Sequence, residues 1–175
     1  MQPYSHFEIE RMLSGMTVLV DTREQDTPAL RARLEGFGCP SRRHKLDYGD
    51  YSAEITKPDG TIVSAAKKIA VERKMSLDEL CSCFTRERGR FEREFIRAKN
   101  DGARIHLLIE NASIDKVMDH EYRSKMAPKS LTSSIDAWSE RYGIRVWFCQ
   151  RRHTGERIGS ILRYGIKVLL ERGEL

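Results

Sequence analysis

The fold turns on one run, Ile69-Ala70-Val71-Glu72-Arg73-Lys74-Met75-Ser76-Leu77-Asp78. It opens apolar and strand-like, then carries three consecutive charges. Ser76 stands where a helix N-cap belongs, ahead of Leu77-Asp78-Glu79-Leu80. The reading is a strand over 69–74 that passes almost directly into a helix over 76–84. Side chains alternate on a strand, so Glu72 and Lys74 share one face and Arg73 takes the other. An acid and a lysine half buried at a strand end are costly unless something uses them.

Outward from this run, apolar strands alternate with amphipathic helices. Upstream, Met16 to Val20 reads as a buried strand with Asp21 at its tip, and Thr27-Pro28 as the cap and first turn of a helix. Arg42 to Leu46 reads as a strand leading to a tight turn at Gly49 that aims Asp50. Tyr51–Thr56 and Thr61–Ala66 flank the turn cluster Lys57-Pro58-Asp59-Gly60, a β-hairpin feeding the central run. Downstream, the pattern predicts a charged loop over 85–90, a helix from Phe91 to Lys99 with Phe91, Phe95, Ile96 and Ala98 inward, and a strand from Arg104 to Glu110. A short helix at 113–119, a mobile loop at 120–129, a helix to Tyr142, a strand at 144–149 and a last helix at 155–172 follow. His6 to Leu13 forms a short amphipathic segment within an N-terminal arm over residues 1–15, open between lid, packing arm and frayed end. Such alternation predicts an α/β domain, a central mixed β-sheet flanked by helices. Asp21, Asp50 and Glu72 fall at or just past strand ends, where such sheets gather function.

Composition bounds the rest. At 175 residues the chain reads as a single domain with a substantial core. Lys and Arg number 31 against 26 Asp and Glu, a net charge of +5 that suits a phosphate-rich partner without requiring one. The four cysteines (Cys39, Cys81, Cys83, Cys149) and five histidines have no zinc-ligand spacing, and read as reduced thiols and scattered imidazoles. The polar N-terminus is unlike a signal peptide, and no apolar run approaches the ~20 residues of a membrane span. The expected setting is intracellular, the cytoplasm in a prokaryote or phage and the nucleus in a eukaryote. No nucleophile–histidine–acid pattern and no phosphate-cradling glycine loop is evident.

Read with Gly49-Asp50 upstream, Glu72-Arg73-Lys74-Met75-Ser76-Leu77-Asp78 spells GD…ERKxxxD. This resembles the XPF/Mus81-type (ERCC4 domain) nucleases of the PD-(D/E)xK superfamily. Val18-Leu19-Val20-Asp21-Thr22-Arg23-Glu24, Gly89-Arg90-Phe91 and Leu107-Leu108-Ile109-Glu110 resemble further motifs of that family, in order, and the likeness runs over about residues 16–170. The gap between Asp50 and Glu72 is long for the family, and the hairpin absorbs it. The resemblance implies a restriction-endonuclease-like core and a Mg²⁺- or Mn²⁺-dependent DNA endonuclease, structure-specific for flap, fork or junction DNA in repair or recombination. It also places the chain as a stand-alone nuclease domain, without the helix-hairpin-helix module or helicase of larger members.

In that chemistry Asp50 and Glu72 hold the metal, the backbone carbonyl of Arg73 joins them, and Lys74 orients or activates water and steadies developing charge. Asp21 completes the metal site, holds a second ion, orients the other ligands, or simply pairs with Arg23. Asp78 reaches the metal shell through water or holds Lys74 or Arg73, and Glu110 is supporting or structural. Arg23, Arg86 and Arg90 are candidate DNA contacts, since guanidinium forks suit phosphate oxygens. Tyr48 and Tyr51 stack on a base or, more commonly, fill core. The expected partner is branched or single/double-strand-junction DNA. Homo- or heterodimer pairing would use the apolar face of the last helix, which otherwise serves only the core. The competing readings are a less selective phage or mobile-element nuclease, and a non-catalytic DNA-binding scaffold derived from the fold.

Overall fold

In the computed structural model, which describes residues 3–175, the strands are β1 (Thr17–Val20), β2 (Ser41–Arg43), β3 (Tyr51–Thr56), β4 (Ile62–Ser64), β5 (Ile69–Lys74), β6 (Arg104–Glu110) and β7 (Arg145–Cys149). The helices are α1 (His6–Ser14), α2 (Pro28–Glu35), α3 (Leu77–Phe84), α4 (Arg88–Asn100), α5 (Ile114–Met118), α6 (Pro128–Tyr142) and α7 (Thr154–Glu171). The strands form one mixed sheet in the order β2-β1-β3-β5-β6-β7, with β4 paired to β3. β3 runs antiparallel to β1, β4 and β5, while β5, β6 and β7 are mutually parallel. This is the α/β, mixed-sheet class expected from the pattern.

Both faces of the sheet are covered, which is why β5 and β6 are apolar on both sides. Ile69, Val71 and Leu108 point into a core beneath α1, α2 and α7. Ala70, Leu107 and Ile109 point into a second core beneath α3, α4 and α6, built around Phe91, Phe95 and Trp138. Strand parity therefore sends Glu72 and Lys74 toward the α3/α4 side and Arg73 toward the α2/α7 side.

Several local expectations change. The strand expected to Leu46 ends at Arg43, because the Leu46 amide donates to the Asp21 carboxylate at 2.7 Å instead of joining a ladder. α4 begins at Arg88, inside the stretch read as a loop; its entry has no side-chain cap and no apolar residue to signal it. Ile96 is exposed, since it lies off the Phe91–Phe95–Ala98 stripe. The 120–129 segment is pinned: Asp78 accepts from the amides of Arg123 (2.9 Å) and Ser124 (2.7 Å), and the Tyr122 hydroxyl donates to the Met126 carbonyl at 2.8 Å. Asp78 thus holds that loop rather than Lys74 or Arg73. α1 is a packing element, burying Ile9, Met12 and Leu13, with Glu10 bridging Arg163 (2.9 Å) and Lys167 (2.7 Å) of α7. Ile158, Ile161, Leu162, Ile166, Leu169 and Leu170 of α7 are all buried within the chain's own core.

Candidate active site

The ends of β1, β3 and β5 are stitched together by Asp50. Its carbonyl accepts from the Asp21 amide (2.8 Å), its amide donates to the Val71 carbonyl (2.9 Å), and its Oδ2 accepts from the Arg73 amide (2.8 Å). The preceding Gly49 has φ +72°, and a Cβ there would lie 2.8 Å from the Ala70 Cβ. Only glycine meets both demands. The Gly49 amide donates to Glu94 Oε1 of α4 at 2.8 Å, so the helix fixes the turn that aims Asp50.

Asp50, Glu72 and Lys74 line one cavity of about 480 Å³. Lys74 Nζ donates to Glu72 Oε1 at 2.6 Å and sits 4.5 Å from the centre of the Phe91 ring. Burial pushes the Glu72 carboxyl up to about 8, helped by the nearby Asp50, with Lys74 opposing. Burial likewise lifts Asp50 to about 6 against the Arg73 amide, which favours its charged form. Burial works against the Lys74 charge, yet the Glu72 carboxylate outweighs it and the pKa is raised. Lys74 is therefore an ammonium at neutral pH, a donor and a charge rather than a proton acceptor.

A half-buried Asp50 that raises the pKa of buried Glu72, and is itself raised by burial and by Glu24, leaves the site short of positive charge, and a divalent cation would supply it. Among the described residues no three His, Cys, Asp or Glu side chains form a metal cluster. The side-chain donor set is two carboxylates, which suits a hard ion that keeps several of its waters.

The other expected residues fall in different places. Arg73, Arg23 and Arg90 line the cavity; Asp21 and Arg86 do not. Both Asp21 oxygens are taken: Oδ1 accepts from the Arg23 amide (2.8 Å) and Nε (2.6 Å), and Oδ2 from Leu46. Burial alone would raise its pKa, but these donors hold it below the ordinary carboxylate value. Arg86 is exposed and reaches Ser82 Oγ at 3.4 Å. Tyr48 and Tyr51 are buried, and the Tyr51 hydroxyl joins Glu24 (2.6 Å) to Arg33 (2.6 Å).

Behind the strand, the Arg73 guanidinium lies 3.5 Å from Glu110, which is 1% exposed. Arg33 and Arg151 stand 3.8 and 3.9 Å from the same carboxylate, and neither Glu110 oxygen is hydrogen bonded. Glu110 is thus an electrostatic anchor for Arg73.

Sequence reasoning missed Glu24, Glu79, Arg93, Glu94 and Arg97, which complete the cavity lining. Arg90, Arg93, Glu94 and Arg97 recur at i, i+3, i+4 and i+7, flanking the Phe91–Phe95–Ala98 stripe. That spacing was the available signal. Glu79 accepts from the Met75 amide at 2.7 Å and stands 3.9 Å from Lys74.

The arrangement pairs two ionisable oxygens and a fixed ammonium with a wall of guanidinium groups, as a phosphate-cleaving centre requires. The sequence matches the ERCC4 domain over residues 20–159. No curated protein matches it. Among solved structures the chain is similar to XPF from Aeropyrum pernix, at 26% identity and TM-score 0.60, covering 84% of this chain and 65% of that one. It is also similar in fold to XPF from Aeropyrum pernix in complex with DNA, at 23% identity and TM-score 0.56, covering 90% of this chain and 64% of that one. It thus spans less than two thirds of either relative's length. With the ERCC4 match covering most of its length and the sheet, the Asp50 turn and the Glu72–Lys74 strand end in place, the chain belongs to the ERCC4 domain family.

Proposed function

We infer that this chain is a Mg²⁺- or Mn²⁺-dependent DNA endonuclease, acting on flap, fork or junction DNA in repair or recombination. The observation that carries the reading is the convergence of half-buried Asp50 and buried Glu72 with the Lys74 ammonium on one cavity wall.

In this reading Asp50 and Glu72 hold the ion, with the Arg73 carbonyl as a further oxygen. The bound cation would supply Lewis acidity and charge neutralisation at the scissile phosphate. Lys74 donates to the attacking water's oxygen or to a non-bridging phosphate oxygen, orienting the first and stabilising charge on the second. It does not take the water's proton, because it holds its own. Asp21 orients the site through the hydrogen bond that its backbone amide donates to the Asp50 carbonyl and through its grip on Arg23. Arg23, Arg90, Arg93 and Arg97 hold strand phosphates along the cavity rim, in place of the Arg86 contact expected from sequence. Of the apolar residues of α7, exposed Tyr164 and half-buried Val168 are left over for pairing of copies, the rest being spent inside the chain.

Labelled 3′-flap, fork, Holliday-junction, single-stranded and linear duplex DNA, each with Mg²⁺, Mn²⁺ or EDTA, test the reading. Metal-dependent cutting confined to branched substrates is expected. Equal cutting of every substrate would replace structure specificity with a less selective nuclease. Binding without cutting under either metal would leave a scaffold.

A further inference from the structure

A second cavity, of about 450 Å³, lies on the other side of the sheet. It opens where β6 and β7 begin, whereas the candidate active site lies where β5 ends. His106 shares strand parity with Leu108, so it faces the α7 layer, away from the Glu72 and Lys74 side. Four arginines line the cavity, Arg104, Arg145, Arg157 and Arg172, and no acid does. Arg104 and Arg172 share the nearby Glu174, at 3.3 and 3.7 Å. Arg145 and Arg157 have no carboxylate partner among the described residues.

The floor is built as well as charged. The Trp147 indole Nε1–H donates to His106 Nδ1 at 2.9 Å, with the two ring planes 3° apart. An indole nitrogen only donates, so His106 Nδ1 carries the lone pair and Nε2 carries the proton. That leaves an N–H donor with no protein partner among the described residues. Burial, and then the Arg145, Arg104 and Arg157 charges, push the His106 pKa down to about 4, which keeps the ring neutral. The Arg157 guanidinium covers the Trp147 ring at 4.2 Å, and Tyr164 stands 64% exposed two turns along the same stripe of α7. Uncompensated guanidinium groups beside an exposed aromatic ring match a chain of phosphates carrying flat bases. An acidic peptide would satisfy the arginines and leave Tyr164 without a role. A second copy would bring eight guanidinium groups together.

We propose that this cavity binds single-stranded nucleic acid, with backbone phosphates on Arg104, Arg145 and Arg157 and a base against Tyr164. The site uses none of Asp50, Glu72 or Lys74, so it stands apart from the cleavage reading.

The test uses the intact protein in EDTA, with fluorescein-labelled 12-nucleotide oligothymidylate as probe and the two tryptophan indole N–H signals followed by NMR. The Trp147 signal is expected to move while that of buried Trp138 stays. Arg145→Ala with Arg157→Ala should weaken binding by at least about 10-fold and reduce the slope of log affinity against log salt by about 1.4, roughly 0.7 for each phosphate contact on a single strand. Tyr164→Ala should cost on the order of 10-fold through lost stacking. Circular-dichroism melting of each variant separates lost contacts from lost fold.

Four results would overturn the proposal. An unmoved Trp147 signal, or unchanged affinity in the folded double variant, would place the strand elsewhere. A hexaglutamate peptide binding as tightly as the oligonucleotide would make the site a reader of charge alone. A Trp147 shift driven by protein concentration alone, with dimers in sedimentation, would make the cavity an interface between copies. A chain that bound the probe here but cut no DNA would refute the cleavage reading and leave this one standing.

Discussion

The two cavities are nearly equal in volume and opposite in electrostatic design. The front cleft carries six basic residues (Arg23, Arg73, Lys74, Arg90, Arg93, Arg97) against five acids (Glu24, Asp50, Glu72, Glu79, Glu94). The back cavity carries four arginines and no acid. A site that must seat a cation beside a phosphate needs buried acids, and those acids need bases to hold them. A site that only grips phosphates works best with its positive charge unanswered. Charge balance thus separates candidate chemistry from candidate binding where cavity size does not.

The largest expected break in this comparison is Asp50→Asn. The amide oxygen still accepts from the Arg73 amide, so the fold survives, while the ionised ligand is gone. Cleavage should fall on the order of 10³-fold or more, the scale seen when a fixed electrostatic contact to the reacting group is removed. Glu72→Gln should do the same. Arg145→Ala with Arg157→Ala should leave unchanged the cutting of branched substrates whose arms are too short to reach the back cavity. Parallel time courses check all three, and cutting by Asp50→Asn at the parent rate would remove the metal assignment.

Much of the front cleft could be read in advance, and the back cavity could not, for a physical reason. Asp50, Glu72 and Lys74 lie within one hairpin and one strand, where a period of two fixes which side chains meet. The Arg90–Arg93–Arg97 stripe was also local, but a charged helix face ordinarily means solvent, and only the tertiary position of α4 shows it facing the cleft. The back cavity gathers Arg104, His106, Arg145 and Arg157 from three elements, and no local period links them. For Asp21 the strand-tip position and the pairing with Arg23 were both legible, and the amide that takes its other oxygen, from Leu46 25 residues away, was not.

Gly49→Ala attacks the cleft through its scaffold. It combines a positive φ with a Cβ 2.8 Å from Ala70, so a loss of about 2–3 kcal/mol is expected from strain alone. Because Glu94 holds the same turn, cleavage should fall with stability, while oligothymidylate binding at the folded protein should not. Urea melts and the NMR response report the two separately.

A smaller effect comes from pH. The folded pKa values of Asp50 and Glu72 lie above their ordinary values, so the metal-free fold holds protons that the unfolded chain has released. The associated stability is complete below the usual carboxylate range and is lost as pH rises through about 6 and then about 8. In EDTA, stability should decline between about pH 6.5 and 9 by no more than about 1.4 kcal/mol per pH unit for each proton released. Mg²⁺ should restore more of it at pH 9 than at pH 6, because cation and proton compete for the same oxygens. Asp50→Asn should flatten the profile. The back cavity tilts the acid end the other way: His106 stays neutral in the fold down to about pH 4, while the unfolded chain's imidazole binds a proton below about 6.5, so this group's contribution rises with pH up to that value and is constant above it.

The finest test makes the back cavity resemble the front. Ser160 lines it and lies three residues from Arg157 on α7, so Ser160→Glu places a carboxylate within reach of that guanidinium. The new pair should contribute little to stability, because such surface pairs amount to about 0.2–1 kcal/mol. Its effect on the ligand should be of the same order, a loss of about 2- to 5-fold in oligothymidylate affinity, with a shallower salt slope. Ser160→Gln, of similar size without the charge, should bind like the parent. If both variants lost affinity equally, crowding rather than charge would be the cause, and the contrast between a balanced and an unbalanced cavity would no longer explain what each one holds.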